Sequence, residues 1–241
     1  MAAEPVDISV AIDAITEPTP RTRSASQSDK SPRTLRNVEI KAQISGTIDE
    51  WRARLEKEFP TRAKHTLTQT DVFFKTPPET SLRLKMRFQK QIPYVPVSTA
   101  SPSKTNEVSK DSAALISYNR NNQTGPKLSE YQLLYLTVGK ATMLSSILEK
   151  VYGTSLNVSK TRHLWIVEMT LPSGTFSIRI HLDFVFQLGV FIEFEVVLTP
   201  QQTVADGQTI ARMLLDKLDI KDNQLITGAY HDLLIEKLKE E

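Results

Sequence analysis

Three short runs in this chain carry charge on every second residue: Asn37-Val38-Glu39-Ile40-Lys41, Arg83-Leu84-Lys85-Met86-Arg87 and Glu193-Phe194-Glu195. In an extended chain successive side chains point to opposite faces. Glu39 therefore shares a face with Lys41, Arg83 with Lys85 and Arg87, and Glu193 with Glu195, while the opposite face is apolar. The same alternation places Lys160 with Arg162, and Ser177, Arg179, His181 and Asp183 together; Arg120 ends another extended run. Gathered on one surface, these give the cations Lys41, Arg83, Lys85, Arg87, Arg120, Lys160, Arg162 and Arg179 against the carboxylates Glu39, Asp183, Glu193 and Glu195. Like charges about 4 Å apart at surface-like dielectric repel by about 4 kcal/mol, so such an excess is relieved by a bound polyanion. Arginine offers forked donors to phosphate oxygens and lysine a compact charge. The paired glutamates have two readings, as salt-bridge partners of nearby arginines or as hard oxygen ligands for Mg²⁺ or Mn²⁺; the second is preferred because two close like charges need a reason.

Chemistry of this kind needs an enclosing scaffold. Strands are predicted at about 37–45, 69–75, 81–89, 114–120, 129–137, 160–169, 175–185 and 190–198, the pattern of an antiparallel meander. Four segments instead repeat at helical spacing. Thr47 or Asp49 caps one presenting Trp51, Leu55 and Phe59. Thr137 precedes Met143, Leu144, Ile147, Leu148 and Val151. A third carries Ile210, Met213, Leu214 and Leu218, and the last Leu225, Ala229, Leu233, Ile235 and Leu238. These apolar stripes need partners, and so do the apolar strand faces (Val38, Ile40, Leu82, Leu84, Met86, Ile178, Ile180, Leu182, Ile192, Phe194, Val196). The reading that satisfies both is an α+β fold: an eight-stranded antiparallel β-barrel with amphipathic helices packed outside and its charges turned inward. The ordinary alternative is an apolar-filled barrel with its charges in water, an apolar-ligand carrier.

The 241 residues fit one barrel domain over 37–241. Residues 1–36 contain a Ser/Thr/Pro-rich stretch expected to form a disordered tail, in which Ser24 and Ser26 follow basic residues as phosphate acceptors. A low-complexity inserted loop is expected at 91–112. A net charge of +2 and a pI near 8.7 imply no general nucleic-acid or membrane field. The absence of cysteine excludes disulfides, thiolate metal sites and a cysteine nucleophile. No run approaches the roughly 18 apolar residues of a membrane span. Acidic residues precede any basic one at the N-terminus, so a soluble cytoplasmic protein is expected. There is no Gly-x-Ser-x-Gly elbow and no Gly-rich phosphate loop. His181 reads as a hydrogen-bonding wall residue, and His65, His163 and His231 lack ligand spacing.

The run Asn37-Val38-Glu39-Ile40-Lys41-Ala42 resembles the opening Glu-x-Glu-x-Lys strand of the CYTH superfamily, the triphosphate tunnel metalloenzymes. The similarity continues in order through Gln69–Phe74, Arg83–Arg87, Gly125–Tyr131, Lys160–Arg162, His181–Asp183, Leu188–Glu195 and Gly228–Leu234. It implies an eight-stranded tunnel that binds a triphosphate on basic residues beside one or two divalent cations. Carried over by position, Lys41, Arg83, Lys85, Arg87, Lys160 and Arg162 bind phosphates; Glu39, Glu193 and Glu195 bind metal, with Asp183 a further acidic residue of that centre; Glu39, Lys41 and Glu195 are catalytic. The first glutamate of the motif is Asn37 here, which puts a two-metal site in question. Three chemistries follow: hydrolysis of inorganic tripolyphosphate, hydrolysis of thiamine triphosphate, and cyclisation of ATP to cyclic AMP. Trp51 and Trp165 lie on apolar faces, leaving Tyr118, Tyr131 or the 91–112 loop to serve as an organic-group platform. The preferred expectation is therefore a metal-dependent triphosphatase acting on tripolyphosphate by in-line attack of water on the terminal phosphoryl. A non-catalytic polyphosphate- or nucleotide-binding module is the reading from another class, with no nucleic-acid or membrane partner in either case.

Overall fold

The computed structural model describes residues 34–61, 63–77, 79–97, 110–120 and 122–240. The strands are β1 (Leu35–Gln43), β2 (Lys64–Phe74), β3 (Leu82–Ile92), β4 (Lys110–Arg120), β5 (Lys127–Leu136), β6 (Thr154–Leu171), β7 (Gly174–Val185) and β8 (Gly189–Leu198). The helices are α1 (Ile48–Glu58), α2 (Val138–Tyr152), α3 (Val204–Lys217) and α4 (Tyr230–Glu240). All eight expected strands form and close a barrel in the order β1-β5-β4-β3-β2-β6-β7-β8, every pair antiparallel. It is not one continuous meander. β2 to β5 and β6 to β8 are meanders, while β1 lies between β5 and β8, because α1 and its connections separate it from β2.

Local chemistry starts the helices as read. Thr47 and Glu50 form a reciprocal capping box on α1, with the Glu50 amide donating to Thr47 Oγ1 (3.3 Å) and the Thr47 amide to Glu50 Oε2 (2.7 Å). Thr137 caps α2 and Thr203 caps α3. The outer faces of β1, β7 and β8 (Val38, Ile40, Ile178, Ile180, Leu182, Ile192, Phe194, Val196) are buried with Leu55 and Phe59 of α1 and Ile210, Leu214 and Leu215 of α3. The main apolar core thus lies outside the barrel wall, between sheet and helices. Trp165 is fully buried in it, and the Trp51 indole donates to the Ser45 carbonyl (2.7 Å), so neither faces the lumen.

Gly207 lets α3 approach this closely. A Cβ there falls 2.7 Å from Val38 Cγ2 and 3.2 Å from Leu198 Cδ2. Gly207→Ala is therefore expected to lower stability by about 1–3 kcal/mol, despite the better helix propensity of alanine. An unchanged urea midpoint would show that α3 can move away without loss.

Four expectations need correcting. The α2 stripe is only half covered: Ala141, Leu144 and Leu148 pack on Phe74, Met86 and Ala113, whereas Met143, Ile147 and Val151 are exposed. The helix meets the strongly curved wall of β2 to β5 along a narrow line, which buries one edge of the stripe. Leu82, at the start of β3, is also exposed. The tail gives way to β1 at Leu35; the rest of it, including Ser24 and Ser26, lies outside the described residues. The 91–112 insertion is shorter than expected, since β3 runs to Ile92 and β4 begins at Lys110. Residues 98–109 lie outside the described ones. The insertion's first turn is pinned on α1: the Tyr94 hydroxyl donates to Glu56 Oε1 (2.5 Å) and Arg52 donates to the Val95 carbonyl. No helix among the described residues is long and apolar enough to cross a membrane.

Candidate functional site

Strand register decides which charges meet. Glu39 lies opposite Glu195 and Lys41 opposite Glu193 across β1 and β8; His181 faces Glu193 and Arg179 faces Glu195 across β7 and β8; Arg162 faces Asp183 across β6 and β7. All share the inner parity. Glu39, Lys41, Lys160, Arg162, His181, Asp183 and Glu193 are buried without lying in the apolar core.

The densest cluster centres on Arg162. Its Nε and Nη2 donate to the two oxygens of Asp183 (2.7 and 2.6 Å), and Nη2 also reaches Glu193 Oε2 (3.0 Å). Lys41 Nζ holds the other Glu193 oxygen at 3.0 Å. The Tyr230 hydroxyl of α4 donates to Asp183 Oδ2 (2.8 Å). Further along the wall Asp71 accepts from Lys85 (2.9 Å) and, in a fork, from Arg87 (2.6 and 2.8 Å). Arg83 is clamped by Asp232 of α4 (2.6 and 3.1 Å), Arg120 by Glu39, and Arg179 by Glu195 (3.3 Å) beside the Tyr131 hydroxyl. The sequence-predicted site residues thus share the inner face of the barrel, where they fall into several separate ion-pair groups. Arg162 and Tyr230 occupy both oxygens of Asp183, and Lys41, Arg162 and His181 occupy both of Glu193; Asp183, which is 0% exposed, holds the arginine in place, whereas Glu193 must exchange one of these contacts to ligate a cation.

Three charged residues were missed by strand alternation. Asp71 was legible, because it shares the parity of Gln69 and Phe73 on β2. Lys127 begins β5 two residues earlier than expected; it is buried and donates to the carbonyls of Thr227 (2.7 Å), Gln123 (3.2 Å) and Ile226 (3.3 Å). Asp232, with Tyr230, comes from a helix that closes one end of the lining, which no strand pattern reveals. Tyr230 and Leu234 seal that end against Phe73, Val158, Val185 and Phe191. With these additions the excess of cations is smaller than the alternation alone implies, yet positive charge still prevails.

Electrostatics follow from burial. Burial and the neighbouring Arg162 push Lys160 well below the usual lysine range, against the pull of Asp183. Burial and Arg87 bring Lys85 down to about 8 despite Asp71. Burial and Arg162 lower His181, favouring neutral imidazole. For Asp183 and Glu193 burial favours the protonated acid, but Arg162 and Lys160 in the first case, and Lys41 with the His181 hydrogen bond in the second, hold them below the ordinary range.

Several groups remain short of partners. Arg120 Nε and Nη2 are buried with no hydrogen bond, and so is Asn37 Oδ1. The closest carboxylate to Lys160 is Asp183 at 3.9 Å, beyond hydrogen-bond length, and its ammonium lies 5.0 Å from the Tyr230 ring centre. A buried donor without a partner costs about 1–3 kcal/mol, so an anion that accepts from Arg120 recovers that cost and adds charge compensation for Lys160. On the acidic side one ligand atom from each of His181, Glu193 and Glu195 lies within 4.8 Å of the others. This set of one imidazole and two carboxylates fits a divalent cation. A groove of about 520 Å³ is lined by Thr68, Phe88, Ser159, Phe184 and Phe186 and also by Lys160.

The model of the CYTH domain family matches residues 35–230. No curated protein matches the sequence. Among solved structures, the PH1819 protein of Pyrococcus horikoshii OT3 is 20% identical with a TM-score of 0.56, the alignment covering 83% of this chain and 99% of that one. A protein of Vibrio parahaemolyticus described as a candidate adenylate cyclase is 15% identical, with a TM-score of 0.53 over 82% and 97% of the two chains. HpAC1 of Hippeastrum, described as a candidate adenylyl cyclase with a dominant triphosphatase activity, is 11% identical, with a TM-score of 0.50 over 81% and 91%. At these identities the likeness bears on fold.

Proposed function

The chain belongs to the CYTH domain family, and within it we propose that the protein is a metal-dependent triphosphatase that hydrolyses inorganic tripolyphosphate in the barrel lumen. The observation that carries this reading is the pair of unpartnered Arg120 donors together with under-compensated Lys160, enclosed where cations exceed carboxylates. Lys41, Arg83, Lys85, Arg87, Arg120, Lys160, Arg162 and Arg179 bind the phosphate chain. Their carboxylate partners fix the guanidinium planes before the substrate arrives, so little reorganisation accompanies charge development on the terminal phosphoryl. Glu39, Glu193 and Glu195 would hold Mg²⁺ or Mn²⁺, with Asp183 behind them positioning Arg162. When bound, the cation neutralises phosphate oxygens and favours an activated water. Lys41, held by Glu193, stabilises charge on the phosphoryl under in-line attack, and Glu39 and Glu195 orient the groups around it. Both tryptophans lie outside the lumen, which supports an inorganic substrate, while Tyr131 beside Arg179 and Tyr118, its ring centre 5.5 Å from Lys85 Nζ, are the aromatic groups that thiamine triphosphate or ATP would use. A cytoplasmic setting belongs to the same proposal.

Incubation with tripolyphosphate, thiamine triphosphate and ATP, each with Mg²⁺ or Mn²⁺, tests the reading by assay of phosphate, diphosphate and cyclic AMP. Fastest release of phosphate from tripolyphosphate is expected. Cyclic AMP as the main product would replace hydrolysis with cyclisation. The neutral Asn37 favours one other reading, a non-catalytic polyphosphate-binding module, which saturable binding without product from any of the three would select.

The lysines also set a pH dependence. With Lys85 titrating at about 8 in the free protein, its charge and its attraction for phosphate fade as pH rises through that value. Metal-free affinity for tripolyphosphate is expected to fall by up to about tenfold per pH unit above 8. Lys85→Arg, which stays charged, should flatten the fall; an identical slope by calorimetry would remove Lys85 from the binding set.

A further inference from the structure

We propose that His181 is itself a metal ligand, so that His181, Glu193 and Glu195 form a mixed nitrogen and oxygen centre selecting Mn²⁺ over Mg²⁺. This rests on the acidic corner of the lumen being the metal site, and not on which triphosphate is turned over. Three features support it. The donor atoms of the three residues converge within 4.8 Å, with His181 Nδ1 at 3.1 Å from Glu193 Oε2 and 3.8 Å from Glu195 Oε1. Glu193 is already neutralised by Lys41 and Arg162, which weakens its pull on a hard cation, whereas His181 Nδ1 is held by a single hydrogen bond to Glu193 that a cation displaces. Asn37 is 3% exposed, leaves Oδ1 without a partner, and stands one inner position along β1 from Glu39, the register partner of Glu195. It is a neutral oxygen donor on the same inner face.

A site with fewer net negative ligands and one nitrogen is poor for Mg²⁺, which demands near-ideal oxygen coordination and dehydrates reluctantly. An imidazole ligand raises affinity for first-row transition dications relative to Mg²⁺, and Mn²⁺, which also accepts carboxylate oxygens, is the member of that series that gains least. To bind, His181 gives up its hydrogen bond to Glu193 and presents Nδ1 as a lone pair, the proton residing on the other ring nitrogen. Both carboxylates remain anionic.

The test uses the full chain loaded with Mn²⁺ alone. Electron spin echo envelope modulation is expected to show a directly bonded nitrogen, and ¹⁵N-histidine labelling to convert the ¹⁴N pattern to that of ¹⁵N. His181→Gln should abolish the coupling, weaken Mn²⁺ binding at least about tenfold, and change Mg²⁺ binding less than about threefold. A histidine that only orients Glu193 gives no nitrogen coupling and weakens both metals alike, which would overturn the proposal. So would coupling that persists in His181→Gln. Should that variant fail to fold, the labelled wild-type spectrum decides by presence or absence of histidine nitrogen. Nitrogen coupling without triphosphate turnover upholds the ligand and removes the hydrolase reading; turnover without coupling does the reverse.

Discussion

Arg162→Ala is expected to abolish measurable triphosphate turnover and to destabilise the barrel by about 3–5 kcal/mol. Asp183 is 0% exposed, and Arg162 supplies both of its charged donors and one of those to Glu193. Truncation leaves a buried carboxylate with Tyr230 and a lysine at 3.9 Å as its remaining partners. Under the proposed function it also removes a donor to the phosphate chain, for which a loss of about 10²–10³ in turnover is typical. Arg162→Lys separates the two effects. It restores charge and much of the stability but not the fork, so turnover should stay low while the thermal midpoint recovers. Full activity in Arg162→Lys would mean that charge alone, without geometry, suffices.

Glu195→Gln is expected to behave oppositely, with metal-dependent turnover falling about 10²-fold or more and the fold nearly unchanged. The glutamine is isosteric, and the one ion pair it loses, to Arg179 at 3.3 Å, is backed by the Tyr131 hydroxyl. The thermal midpoint should shift by less than about 5 °C. Activity equal to wild type at saturating Mn²⁺ would remove Glu195 from the metal site.

The barrel was legible because charge and apolar side chains alternate cleanly over the middle of β1, β3, β7 and β8, although apolar residues such as Phe73, Val158 and Phe191 join the inner face where α4 closes it. Val38 and Ile40 had to face helices once Glu39 and Lys41 faced the lumen, and the four spare helical stripes said what would cover them. The pairing of charges was not legible. Alternation places Asp71 and Arg87 each on an inner face, but only the register of β2 against β3 sets them opposite one another. The same limit hid Asp232 and Tyr230, which enter from α4 and turn an apparently unbalanced lining into a largely paired one. A count of charges along strands overstated the positive field for that reason. The half-exposed α2 stripe shows the complementary limit: periodicity reveals an apolar face but not how much of it a curved wall can reach.

A crystal structure of the protein with a non-hydrolysable tripolyphosphate analogue and Mn²⁺ tests the central claim most directly. Phosphate oxygens are expected in the lumen, within about 3.2 Å of Lys160 Nζ and the free Arg120 donors, with the cation against Glu193 and Glu195. An analogue bound on the outer wall, or a lumen that stays closed by its own ion pairs at saturating analogue, would contradict it.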